Sequence, residues 1–169
     1  AGHVDFMGNP TGMLGSADSE TGTSYWIGAQ LPVLDGKLGL EYNHGSKYWR
    51  PFTYAEDTMI GSKIAARGDA YEAYYTYQIN EALSAQVRYT QINYDYAGSN
   101  GFFGSTTGNA MSIDEIKANA AWGQGYLQAN PTADPATDPN AAMAYQAIGF
   151  AQNTIEKAQD LRFYIRYRF

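Results

Sequence analysis

The chain has 169 residues, a formal net charge of −6, no cysteine, 18 glycines and 15 tyrosines. Without cysteine it holds no disulfide, thiolate metal site, iron–sulfur cluster or c-type haem attachment, and the acidic balance argues against a nucleic-acid partner. No signal peptide and no apolar run near the ~20 residues of a membrane helix occurs, which excludes a helical membrane protein. A transmembrane barrel stays open: its strands show lipid only at every second residue, so mean hydropathy stays low, as the value of −0.43 is here.

Residues 1–7 alternate briefly, Gly2, Val4 and Phe6 against His3 and Asp5, and begin as though inside a strand. Residues 8–22 are rich in Gly, Ser, Thr and Asp and read as a loop. From Ser24 to Val33 the alternation is strict. Tyr25, Ile27, Ala29, Leu31 and Val33 share one face; Ser24, Trp26, Gly28 and Gln30 share the other. Asp35-Gly36 then gives a two-residue hairpin signal. Centred there, the hairpin pairs Val33 with Leu38, Leu31 with Leu40 and Ala29 with Tyr42, and sets Gln30 against Glu41 and Gly28 against Asn43.

After a long polar and aromatic connection over residues 45–68, Tyr71 to Ile79 alternates again. A three-residue turn, Asn80-Glu81-Ala82, pairs Ile79 with Leu83, so that Tyr74 faces Arg88 and Glu72 faces Thr90. Beyond Thr90 the aromatic phase moves to Ile92, Tyr94 and Tyr96, which predicts a bulge near Thr90-Gln91.

Residues 97–157 lack a membrane-strand pattern and carry two predicted helices. Ser112-x-x-Glu115 is a capping box ahead of Ile113, Ile116, Ala120 and Leu127. Asp138-Pro139 supplies an N-cap with proline at the first helical position, ahead of Met143, Ala147, Phe150 and Ile155. A Pro/Asp-rich link, residues 131–140, separates them. Their apolar stripes need a surface to cover, such as a barrel mouth, so the segment is expected to be ordered.

The chain closes on Leu161-Arg162-Phe163-Tyr164-Ile165-Arg166-Tyr167-Arg168-Phe169. Odd positions are apolar or aromatic; even positions are Arg or Tyr. This ending resembles the closing strand of Gram-negative outer-membrane β-barrels, which typically end in Phe with aromatics at alternate preceding positions. The resemblance implies that Phe163, Ile165, Tyr167 and Phe169 form an assembly signal, read by the barrel-assembly machinery. Connection lengths agree with it: short turns alternate with long loops, as periplasmic turns and extracellular loops do.

A narrower resemblance lies in Leu40-Glu41-Tyr42-Asn43-His44-Gly45-Ser46-Lys47-Tyr48-Trp49, then Ser62-Lys63, Arg67-Gly68 and Tyr71-Glu72. These are similar to a porin-like outer-membrane family catalogued only as a domain of unknown function. The similar part runs roughly from Tyr25 to Tyr94, with the terminal strand. It implies a location and a fold and brings no substrate or catalytic residue with it.

The expected fold is all-β: an antiparallel transmembrane β-barrel in the bacterial outer membrane, with a helical insertion in the last long loop. Residues 1–96 hold barrel strands and loops, 97–157 a long extracellular loop with two short helices, and 158–169 the closing strand. The chain supplies about six strands of a larger barrel, since single-chain barrels start at about eight. It is therefore expected to be the C-terminal part of a longer protein, or else one of several copies sharing a barrel.

Ile27, Leu31, Leu40, Tyr75, Val87, Phe163, Ile165 and Tyr167 are expected to face lipid. Tyr25, Trp26, Tyr42, Tyr71, Tyr94 and Tyr96 fall near outer strand ends, where amphipathic rings meet headgroups. Charges are costly toward lipid, so Glu41, Glu72, Arg88, Arg162, Arg166 and Arg168, with Tyr74 among them, are expected to line the pore. They form either a positive wall that favours anions or ordinary lumen ion pairs.

His3 and His44 are the only histidines, and His44 reads as a hydrogen-bonding group at a strand end. No catalytic grouping, metal site or cofactor motif is evident, and enzyme function finds no support. The expected function is a porin-like channel for small hydrophilic solutes or ions. The alternative is a non-conducting barrel, serving as a surface anchor or as a sheath for an electron-transfer partner.

Overall fold

The structure is a computed structural model and describes residues 3–4, 10–11, 16, 18–49, 60, 62–97 and 110–169. Strands β1 (His3–Val4) and β2 (Pro10–Thr11) pair with each other in a separate two-stranded sheet. The period-two stretches become β3 (Ser24–Val33), β4 (Gly36–Gly45), β5 (Gly68–Gln78), β6 (Leu83–Tyr94) and β7 (Lys157–Tyr167). These form one open antiparallel sheet in the order β3-β4-β5-β6-β7, each strand beside its neighbour in sequence. Helices α1 (Ile113–Ala129) and α2 (Pro139–Gln152) fill the connection before β7. No helix among the described residues is long and apolar enough to cross a membrane.

The second hairpin has the expected register. Tyr74 pairs with Arg88 and Glu72 with Thr90. Its turn is fixed locally: Asn80 Oδ1 accepts from the backbone N–H groups of Ala82 and Leu83, both at 2.9 Å. The first hairpin is shifted. Val33 pairs with Gly36, Leu31 with Leu38, Ala29 with Leu40 and Gly28 with Glu41. The turn residues are thus Leu34 and Asp35, and Leu34 takes a left-handed φ of 52°.

A two-residue shift keeps every side chain on its face, so alternation cannot choose between these registers. Cross-strand contacts favour the observed one. Trp26 Nε1 donates to Glu41 Oε2 at 3.1 Å, and Ser24 Oγ donates to Asn43 Oδ1 at 3.3 Å.

Two further expectations are corrected. The described part of the N-terminal stretch, His3–Val4, joins β2 rather than the large sheet; the rest of that stretch lies outside the described residues. There is also no bulge at Thr90-Gln91, since β6 keeps a single register against β5 from Ser84 to Tyr94. The apparent change of phase has another cause. Ile92 and Tyr94 remain on the same face as Arg88 and Thr90, but there the face is covered. Ile60, Ala66, Ala70, Ile92, Tyr94 and Ala158 form a buried cluster, with Ile155 against it.

The register gives the sheet two unlike faces. On one, Leu31, Leu38, Tyr75, Val87 and Phe163 align in a cross-strand row, and Ala29, Leu40, Ala73, Tyr89 and Leu161 in the next. Nothing among the described residues covers this face: Ile27 is 65% exposed, Phe163 76% and Ile165 79%. Toward the long connections it turns polar, through Tyr25, His44, Asp69, Asn93 and Lys157. The other face carries the charged residues.

Both helices start where their caps predict. Ser112 and Glu115 form the complete capping box, and the Asp138 side chain accepts from the backbone of Asn140 and Ala141 behind Pro139. The helices bury small residues against each other: Ala120 and Gly123 from α1, Ala141, Ala144 and Ala147 from α2. A Cβ on Gly123 would stand 2.8 Å from the Ala144 carbonyl oxygen, so glycine sets how closely they approach. Met143 and Phe150 are only half-buried, because alanines rather than the large residues form the seam.

Candidate functional site: the polar face of the sheet

Alternation places Glu41 on β4, Glu72 and Tyr74 on β5, Arg88 on β6 and Arg162 and Arg166 on β7 along one face. Arg168 follows in the same phase, just past the last paired residue. Glu41 and Glu72 are direct cross-strand partners, an arrangement that is repulsive unless a cation intervenes. Lys63 is that cation. Its Nζ lies 2.6 Å from Glu41 Oε2 and 2.8 Å from Glu72 Oε1. Burial works against the Lys63 charge, but the hydrogen bonds to Glu41 and Glu72 outweigh it and hold the ammonium above the ordinary lysine range. Thr90 Oγ1 donates to the other Glu72 oxygen at 2.9 Å.

Lys63 comes from the β4–β5 connection, whose residues 62–67 fold over this face. A short 3-10 turn spans Lys63–Ala65. Asn43 Nδ2 and Trp49 Nε1 hold its carbonyls, at Lys63 and Ile64. Fully buried Arg67 ties the β4–β5 connection to the one that follows β6. Its Nε donates to the Trp49 carbonyl at 2.9 Å and its NH1 to the Ala97 carbonyl at 3.0 Å, while its own carbonyl accepts from Asp95 and Tyr96.

Below this carboxylate row, whose two negative charges Lys63 offsets only in part, the face is cationic and aromatic. Arg162 pairs with Asp160 on its own strand. Arg88 stands in a different setting. Its Cζ lies 5.4 Å from the Tyr74 ring centroid and 5.7 Å from that of Tyr164, and Arg166 lies 5.7 Å from Tyr164 on its own account. Glu72 approaches Arg88 Nε only to 3.7 Å, the diagonal pairing expected from the sequence, yet too long for a hydrogen bond.

The expected girdle divides between the faces. Tyr25, Tyr42 and Tyr71 form a chain on the exposed apolar face, with centroids 5.9 and 5.2 Å apart. Trp26 and Tyr94 belong to the polar face instead, Trp26 bonded to Glu41 and Tyr94 buried in the upper cluster.

His44 is a hydrogen-bonding group at its strand end: Nδ1 meets Asp69 Oδ1 at 2.8 Å, and Tyr42 OH donates to the same oxygen at 2.7 Å. Ligand atoms of His44, Asp69 and Asp95 lie within 4.8 Å of one another, a set of donors that could hold a divalent cation. Lys63 and Arg67 are the residues the sequence reading left out as functional. Both sit in a connection without periodicity, so no alternation marks them.

Fold and site together define an amphipathic antiparallel sheet: one face bare and apolar, the other ion-paired, tyrosine-rich and arginine-rich. The chain belongs to the family described as "Protein of unknown function (DUF3373)", whose model matches residues 2–146. That match extends past the Tyr25–Tyr94 stretch of the sequence resemblance, through α1 and into α2, and stops before β7. No curated protein and no solved structure matches the chain.

Proposed function

We propose that this sheet is part of the wall of a porin-like β-barrel in a bacterial outer membrane, and that its polar face lines a passage for small hydrophilic solutes or ions. The observation that carries the reading is the division between the two faces. A soluble sheet of this size would cover its apolar face. Here Ile27, Leu31, Leu40, Phe163, Ile165 and Tyr167 lie bare on one surface, while Glu41, Glu72, Arg88 and Arg166 lie on the other.

The band has the right height. β7 runs for 11 residues, Lys157–Tyr167, within the roughly 9–11 residues that a tilted membrane-spanning strand needs. The open edges, β3 and β7, have to be closed by further strands, from the same protein or from other copies, because unpaired backbone groups are costly in lipid. The partners in this reading are outer-membrane lipid, the assembly machinery that reads Phe163, Ile165, Tyr167 and Phe169, and the permeating solutes.

Residues 62–67, folded over the polar face, support a second reading in which the barrel is closed and serves as an anchor or sheath. Planar-bilayer recording separates the two. An open passage gives steady ohmic steps from the intact protein; a silent bilayer, with the protein shown to be inserted, would leave the closed barrel.

A further inference from the structure

We propose that the Arg88 cluster is a recognition site for small organic carboxylates moving along the polar face. The proposal rests on that face lining a water-filled passage. β5 and β7 flank β6, so Tyr74 and Tyr164 reach Arg88 from both neighbouring strands, with ring centroids at 5.4 and 5.7 Å. Gly39 allows this: a Cβ there would stand 2.0 Å from the Tyr74 ring, so the ring lies down over the glycine.

Flanking rings hold a guanidinium in place by its charge and leave its N–H fork to bind something else. Arg88 forms one ion pair, Nε to Glu72 at 3.7 Å, and no hydrogen bond among the described residues, so the two terminal nitrogens of the fork remain for a ligand. Gln86 Oε1 and Arg88 Nε are buried without hydrogen-bond partners, as is typical where a further group completes a network.

Charge also accumulates here. One row above, Lys63 offsets one of the two carboxylate charges of Glu41 and Glu72 and Arg88 faces the other, whereas Arg166, beside Tyr164, has no carboxylate partner among the described residues and is the excess charge. The fork matches a flat carboxylate in bidentate geometry. The tyrosine rings offer apolar surface to a carbon body, which a hydrated inorganic anion does not use.

The test is calorimetric titration of benzoate, succinate and inorganic phosphate into the intact detergent-solubilised protein, with bilayer conductance recorded in parallel. Saturable carboxylate binding, tighter than phosphate, is expected. Arg88→Lys keeps the charge and removes the fork, and should weaken that binding about tenfold or more. Tyr164→Leu, which leaves every charge in place, should weaken it as well.

Equal affinity in wild type and in both variants would overturn the site and leave only a general field. Phosphate bound as tightly as benzoate would overturn the carboxylate class. Conductance without carboxylate binding refutes this site and leaves the passage intact; binding without conductance upholds the site and refutes the passage.

Discussion

Glu41 and Glu72 stand directly opposite each other, and Lys63 between them decides whether the middle of the sheet is stable. Removing Lys63 leaves two partly buried carboxylates face to face. Breaking a buried pair costs about 3–5 kcal/mol, and the Lys63 side chain is 18% exposed, so Lys63→Met should cost about 3 kcal/mol, the lower end of that range. Replacing Glu72 by Gln in the same chain should recover part of the loss, because it removes the repulsion. A double-mutant cycle read by denaturant unfolding checks this; a coupling indistinguishable from zero would show that the triad carries no stability. At this scale the sequence was informative only along strands. Glu41, Glu72 and Arg88 fall on one face by counting in twos, and the diagonal approach of Glu72 to Arg88 follows from the turn. Lys63 reaches the face from an aperiodic connection, so its role depends on how that connection folds back.

The helical hairpin is the element most tied to local sequence. Ser112 and Glu115 satisfy each other's backbone, and Asp138-Pro139 starts α2, as their spacing predicts. The Glu115 carboxyl is held below the usual range, chiefly by the Ser112 backbone N–H and then by its hydroxyl. A depressed folded value means that this contribution is present above the ordinary carboxylate range and is lost as pH falls through the folded value. Amide protection in residues 116–120, corrected for intrinsic exchange, should therefore drop on acidification below the usual carboxylate range. Ser112→Ala should lower it by about 1 kcal/mol at neutral pH, and Glu115→Gln, which removes the titrating carboxyl, should flatten the acid dependence; a Glu115→Gln variant with unchanged pH dependence would remove the capping box as its source. The two sheet hairpins show why some registers were legible and others were not. Asn80 fixes its own turn through two backbone hydrogen bonds, so local chemistry settled the pairing of β5 with β6. In the first hairpin the Asp35-Gly36 signal was outweighed by side-chain matches farther along the strands, at the expense of a left-handed Leu34. The expected bulge in β6 was in fact a covered patch: Ile92 and Tyr94 are apolar because they share a buried cluster with Ile60, Ala66, Ala70 and Ala158, with Ile155 against it.

For the whole molecule, everything turns on which medium each face of the sheet meets. Two apolar rows run unbroken across all five strands, and toward the long connections the face turns polar first at Gln91 and Gln159 and then at His44, Asp69, Asn93 and Lys157. The opposite face is charged from Arg166 up to Glu41, with α1 and α2 attached at the end of the long connections. In the proposed barrel, lipid against the first face and water against the second would account for both patterns with one orientation. The chain has no cysteine, so single cysteines placed along β7 from Asp160 to Tyr167 meet no thiol from these 169 residues, and any other cysteine of the intact protein is replaced by serine first. The decisive measurement is their labelling in the intact protein inserted in vesicles, comparing a lipid-attached quencher with an aqueous thiol reagent. Positions 161, 163, 165 and 167 should be quenched from the lipid, and positions 160, 162, 164 and 166 should react only from water, giving a strict period of two. Uniform aqueous reactivity at both sets would contradict a membrane-spanning wall.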